Sequence, residues 1–194
     1  DPKNYLVSSK NAECLVGSLN LVKGAIKAGI RRFVGVGTCF EYDLEVGDLS
    51  INTPLKPSSP YAAAKVQLYK TLLEILSSQS IEFCWGRLFY LYGEGENKQR
   101  LVPYLHEQLS KGQFADLSSG EQIRDYLNVI EAGKAIAKLA MSNHEGAINI
   151  CSGIPITVRQ LAEQIADKYG RRDLLRFGAR MDNLTDPKKI LGIK

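Results

Sequence analysis

The chain has 194 residues and a formal charge of +4, from 25 Lys plus Arg against 21 Asp plus Glu. Hydrophobic residues make up 44% and charged residues 24%, which excludes a disordered chain and fits one compact core, or one core with a smaller lobe. The excess charge lies at one end: residues 1–170 hold 18 basic and 18 acidic residues, whereas 171–194 hold seven basic and three acidic, which argues against a general nucleic-acid surface.

Apolar positions at Leu15, Val16, Leu19, Val22, Ala25 and Ile26 predict an amphipathic helix over 12–28, with Asn11 able to cap its start and Gly29 its end. Phe33-Val34-Gly35-Val36-Gly37 is short and apolar and reads as a buried strand. An acidic loop, 41–53, follows. Ser59-Pro60 supplies an N-cap and a proline at the first helical position for a helix over 60–76. Residues 81–92 are nearly all apolar or aromatic and begin as a strand buried on both faces. Helix, strand, helix, strand in this order implies right-handed crossovers and a parallel sheet. Further on, a helix is expected over 100–111, short strands at 114–117 and 125–129, a helix over 130–142, a strand over 146–150 and a helix over 158–169. The last carries a Thr157-x-x-Gln160 capping box and stops at Gly170. The basic terminal segment, 171–194, reads either as a solvated tail or as an element that touches an anion.

Cys14, Cys39, Cys84 and Cys151 show no C-x-x-C spacing, so free thiols in a reducing compartment fit best. His106 and His144 have no partner at metal-ligand spacing, which points away from a zinc site. No apolar run approaches the roughly 18 residues that span a bilayer, and residues 1–10 do not read as a signal peptide. A cytoplasmic protein without membrane partners is expected.

Tyr61-Ala62-Ala63-Ala64-Lys65 puts a phenol and an ammonium on one face near the start of a helix. A nearby positive charge favours the phenolate, so Tyr61 could take a proton from a hydroxyl or return one to a carbonyl oxygen. The pattern alone could be an ordinary surface pair. Upstream, Thr38 directly follows the buried strand, at the carboxyl end where open α/β sheets hold ligands.

These residues sit in an ordered series: Gly17-Ser18-Leu19-Asn20-Leu21, Thr38 four residues before Tyr42, Ser59-Pro60-Tyr61-x-x-x-Lys65, Arg87-Leu88-Phe89-Tyr90-Leu91-Tyr92-Gly93, Gln122-x-Arg124-Asp125-Tyr126-Leu127-x-Val129, and Asn149-Ile150-Cys151-Ser152-Gly153 with Thr157. Over about residues 11–170 the series resembles the extended short-chain dehydrogenase/reductase superfamily, specifically its NAD-dependent nucleotide-sugar epimerase/dehydratase family. The resemblance implies an α/β fold with a Rossmann-like doubly wound parallel sheet. Residues 1–93 would be the later portion of the NAD(P)-binding domain, and 94–194 mainly a substrate lobe with some segments returning to the main sheet. It implies hydride exchange between a sugar carbon and NAD or NADP, on a nucleoside-diphosphate sugar. Thr38, Tyr61 and Lys65 would be catalytic, with Tyr61 the acid/base. Lys65 would bind the nicotinamide ribose and lower the tyrosine's pKa. Tyr61, Lys65 and Leu88 would contact the cofactor, and Tyr90, Arg100 and Arg124 the substrate. Arg124 would meet the diphosphate, the alternative being a salt bridge to Asp125 or another carboxylate. The helices at 12–28 and 60–76 would form a homodimer interface.

Several departures modify this. The family's 4,6-dehydratases place Asp and Glu directly after the threonine, where this chain has Cys39 and Phe40, so a 4-epimerase or 4-keto reductase is expected over a dehydratase. Cys39 fits a small core residue better than an auxiliary acid. Tyr90 replaces a common substrate-contacting asparagine. None of the 17 glycines forms the G-x-x-G-x-x-G pyrophosphate turn. The expectation is that the first strands precede this sequence and that a further stretch is missing near Met181. The alternative is a non-catalytic Rossmann-fold protein that binds a nucleotide or partner for regulation.

Overall fold

The computed structural model describes residues 4–194. Its helices are α1 (Lys10–Lys27), α2 (Pro60–Ser78), α3 (Leu101–Ser110), α4 (Val129–Ala140) and α5 (Val158–Asp167). Its strands are β1 (Arg32–Thr38), β2 (Asp48–Leu49), β3 (Glu82–Leu88), β4 (Tyr90–Tyr92), β5 (Ala115–Asp116), β6 (Ile123–Asn128), β7 (Gly146–Ile150), β8 (Pro155–Thr157), β9 (Leu175–Arg176) and β10 (Lys189–Gly192).

The central sheet is parallel, in the order β1-β3-β7. Alternation along β3 explains its two covers. Phe83 and Trp85 pack with Val22 of α1 and Leu68, Leu72 and Leu76 of α2, while Cys84 packs with Ala132 and Leu139 of α4. Helices on both faces bury β3 from Phe83 to Arg87, which is why this stretch reads as a nearly continuous apolar run. β1 admits Trp85 only because of its glycines: a Cβ on Gly35 or Gly37 would lie 2.3 or 2.2 Å from the indole.

A second sheet runs β2-β10-β6-β4, with β8 antiparallel on β6. The apolar run 81–92 is therefore two strands, parted at Phe89, the first in one sheet and the second in the other. Between β5 and α5 a third cluster forms around Leu105, Leu109, Ala162, Ile165 and Leu174.

Two expectations need correction. Asn11 does not cap α1: Ser9 holds that position, and Asn11 instead donates to the Tyr5 carbonyl at 2.7 Å. The basic terminal segment is not a solvated tail, because β10 lies between β2 and β6 with Ile190, Leu191 and Gly192 buried. Ser59 caps α2 by accepting from the Ala62 amide at 3.2 Å, ahead of Pro60, and the Thr157–Gln160 box is formed at α5. No described helix is long and apolar enough to cross a membrane.

Candidate active site

The carboxyl end of β1 builds the first wall of the site. Thr38 closes the strand in extended conformation and caps a tight turn over 39–41, its hydroxyl accepting from the Phe40 amide at 3.4 Å. The turn folds Glu41 back so that its Oε1 accepts the Thr38 amide at 2.9 Å. Thr38 is thereby fixed by its backbone, and its side chain lines the same cavity as the Tyr61 phenol.

The first two turns of α2 supply the second wall. Tyr61 and Lys65, one turn apart, both line a cavity of about 580 Å³ with Thr38, Leu88, Tyr90 and Arg100. Tyr5 meets Tyr61 edge to face, with centroids 5.0 Å apart, and the Tyr61 amide donates to the Leu6 carbonyl at 3.0 Å. Lys65 Nζ donates to the Val36 carbonyl at 2.8 Å, and among the described residues it forms no salt bridge.

Electrostatics in this state run against one expectation. Burial raises the Tyr61 phenol above its ordinary value, and the Thr38 hydrogen bond opposes that rise. Lys65 turns its ammonium to the Val36 carbonyl. Burial also lowers the pKa of Lys65, partly offset by the charge of Glu41. Cys39 is buried and its thiol is pushed up to about 12, so it keeps its proton near neutral pH.

Six of the seven residues expected at the site share this cavity; Arg124 does not. Its buried guanidinium pairs with Asp186 at 2.6 Å, donates to the Ile123 carbonyl at 2.8 Å and lies 5.4 Å from the Tyr90 ring. The salt-bridge alternative is thus present in this structure, to Asp186 rather than Asp125. Asp125 is held by the amides of Ser152, Gly153 and Gly192. Tyr90 and Phe40 also line a neighbouring cavity of about 860 Å³, which Asp186 and Lys189 help to form.

Sequence reasoning missed the layer beneath the site. Glu41 and Arg87 form a fully buried ion pair at 2.7 Å, with side chains 0% and 2% exposed. Trp85 Nε1 donates to both Glu41 oxygens at 3.1 Å, and Arg87 reaches the Tyr42 hydroxyl, which donates to Asn149 at 2.7 Å. The signal was an arginine inside the apolar run of β3 and a glutamate at the third position of a capping box.

The model of the NAD dependent epimerase/dehydratase family matches residues 9–151, about three quarters of the chain. The chain belongs to that family. A curated relative in the family is the dTDP-6-deoxy-L-talose 4-dehydrogenase (NAD(+)) of Aggregatibacter actinomycetemcomitans, 28% identical over 168 residues, covering 86% of this chain and 62% of the relative. The dTDP-glucose 4,6-dehydratase of an Actinoplanes strain is 26% identical, covering 82% of this chain and 51% of its own. The chain spans about half the length of the curated relatives it matches. In fold it is similar to the UDP-glucose 4-epimerase of Thermotoga maritima with UDP-glucose, at TM-score 0.82 and 23% identity, covering 92% of this chain and 59% of that one. The Thermus thermophilus UDP-glucose 4-epimerase in complex with NAD gives 0.79 and 22%, covering 92% and 60%. The family fold is a Rossmann-like doubly wound α/β sheet, in keeping with β1-β3-β7 and its two helical faces.

Proposed function

We propose that the chain carries the catalytic part of an NAD-dependent enzyme acting on a nucleoside-diphosphate hexose, either a 4-epimerase or a 4-keto reductase. The observation that carries this reading is the convergence of Thr38, Tyr61 and Lys65 on one cavity. Residues 1–93 would serve the cofactor and 94–194 mainly the sugar nucleotide.

The donor set fits a nicotinamide ribose. Lys65 is a half-buried ammonium with a single protein acceptor, leaving N–H donors for ribose hydroxyls, and Leu88 offers an apolar contact at the end of β3. Bound NAD would supply a hydride acceptor and donor for the sugar carbon. Tyr61 would take the proton of the reacting hydroxyl or return it to the carbonyl oxygen, and Thr38 would orient that oxygen. Lys65 near a bound phenol would favour the phenolate, against the rise that burial imposes in this state. Cys39 and Phe40 supply no proton-transfer pair near neutral pH, which favours epimerisation or reduction over dehydration.

We infer a homodimer through α1 and α2, whose outer faces expose Val16, Leu21 and Leu73, and a cytoplasmic location in accord with four free cysteines. Light scattering tests the first: a monomer would overturn it.

Turnover of the full-length protein with UDP- and dTDP-hexoses tests the reaction. Tyr61→Phe is expected to lower kcat by about 100- to 10,000-fold, the usual scale of lost acid/base catalysis. Unchanged turnover would sink the assignment.

A further inference from the structure

The cavity that holds Tyr61 has one carboxylate on its wall, Glu96, and one of its two oxygens is left unpaired by the protein. Its Oε2 is buried and has no hydrogen-bond partner among the described residues. Leaving a buried acceptor unpaired costs folding free energy, which favours turning the Glu96 side chain into the cavity that it lines, where a donor from outside the chain can meet the oxygen.

The local backbone is built to bring it there. β4 ends at Tyr92, and the chain turns back through Gly93 and Gly95, with φ of +139° and +81°. These conformations are strained for any other residue, and a Cβ on Gly93 would also lie 2.8 Å from Val129. The turn precedes α3 and sets Glu96 on the cavity wall beside Asn97 and Arg100.

No neighbouring side chain pairs with the carboxylate among the described residues. Arg100, four residues on, is the nearest candidate partner, yet its guanidinium lies 5.7 Å from the Tyr5 ring and forms no salt bridge among the described residues. Tyr126 of β6 also faces the cavity and feels the charge of Glu96; burial pushes its phenol up to about 12, so it stays protonated. Burial raises the Glu96 carboxyl as well, against the Gly93 backbone and the Arg100 charge. A carboxylate and a guanidinium that line one cavity without pairing suit a ligand that offers both a donor and an anion or acceptor.

Resting on the sugar-nucleotide reading above, we propose that Glu96 is a specificity-determining residue that accepts a hydrogen bond from a hydroxyl of the hexosyl group. Its place on the β4–α3 turn, next to Arg100 and away from the strand and helix that carry Thr38, Tyr61 and Lys65, favours the sugar over the nicotinamide as the donor.

Calorimetry separates the sources. Wild type, Glu96→Leu and Glu96→Gln are titrated with UDP-glucose, UDP, dTDP-glucose, dTDP and NAD, using the full-length protein. For the nucleotide that wild type binds, Glu96→Leu should weaken the hexose conjugate about 10- to 100-fold, the scale of a charge-assisted hydrogen bond. The free diphosphate and NAD should stay within about twofold, since neither meets Glu96. Glu96→Gln keeps an acceptor and should lose less, about 3- to 10-fold; it decides the matter alone if the leucine variant fails to fold. Unchanged affinity for the hexose conjugate overturns the Glu96 assignment and leaves the enzyme reading standing, as does a loss shared equally by the diphosphate or by NAD. Wild type that binds no nucleotide at all overturns both.

Discussion

Two groups of charges meet at Thr38, and they differ in one respect. Beneath it, Glu41 and Arg87 are closed: every hydrogen-bonding atom of the carboxylate is taken by Thr38, Trp85 or Arg87, and water is excluded. Around the cavity, Lys65, Glu96 and Arg100 are open: among the described residues Lys65 has one hydrogen-bond acceptor, Glu96 keeps one buried oxygen unpaired, and Arg100 forms no salt bridge. The closed group holds the backbone of Thr38, and the open group is the one we propose for the ligand. Pairing the open group within the protein would add stability at a cost in binding on that reading.

Breaking the closed group has the largest expected effect on stability. Glu41→Ala leaves the Arg87 charge in the core and frees the Thr38 amide, which should cost about 3–5 kcal/mol. In a chain of this size that lowers Tm by about 10 °C or more. The double variant Glu41→Leu/Arg87→Met should recover much of the loss, since no lone charge remains. A Glu41→Ala protein that melts with wild type would show that the buried pair holds nothing in place.

Removing a charge from the open group should separate stability from binding. Lys65→Met is expected to lower NAD affinity about 10-fold or more while Tm holds or rises, because burial already disfavours that ammonium. The pH dependence follows from the same shift. With the folded pKa below the ordinary 10.5, the native protein binds fewer protons than the unfolded chain between the two values. Stability from Lys65 therefore grows as pH climbs through that window toward 10.5, and wild type should gain on Lys65→Met there in unfolding titrations. A constant difference across that range would refute the burial of the charge.

Much of this arrangement was legible in the sequence because local rules set it. Ser59-Pro60 starts α2, the four-residue spacing puts Tyr61 and Lys65 on one face, and a short apolar strand ends at Thr38. What escaped depended on distant partners. Arg87 looks misplaced in an apolar strand until Glu41, 46 residues away, is folded beneath it. β10 is too short and too near a basic run to be read as a strand, and only β2 and β6 on either side make it one. Arg124 was placed by motif, but its partner in this structure, Asp186, is 62 residues on. Glu96 carries no motif, and its interest comes from lacking a partner, which only the packed cavity reveals.

The smallest effect should come from charges that belong to neither group. Arg172 makes a two-pronged contact with Asp167, with its second prong at 2.7 Å. Both side chains are exposed, 59% and 49%, so water screens the attraction and solvates either charge when the other is removed. Arg172→Gln is therefore expected to leave Tm within about 1 °C of wild type. The contrast with Glu41→Ala makes the comparison quantitative, because the ion-pair distances are similar while Glu41 is excluded from water and also holds the Thr38 amide and Trp85. A drop of several degrees for Arg172→Gln would mean that contact geometry, rather than exclusion from water, decides which charges hold this fold.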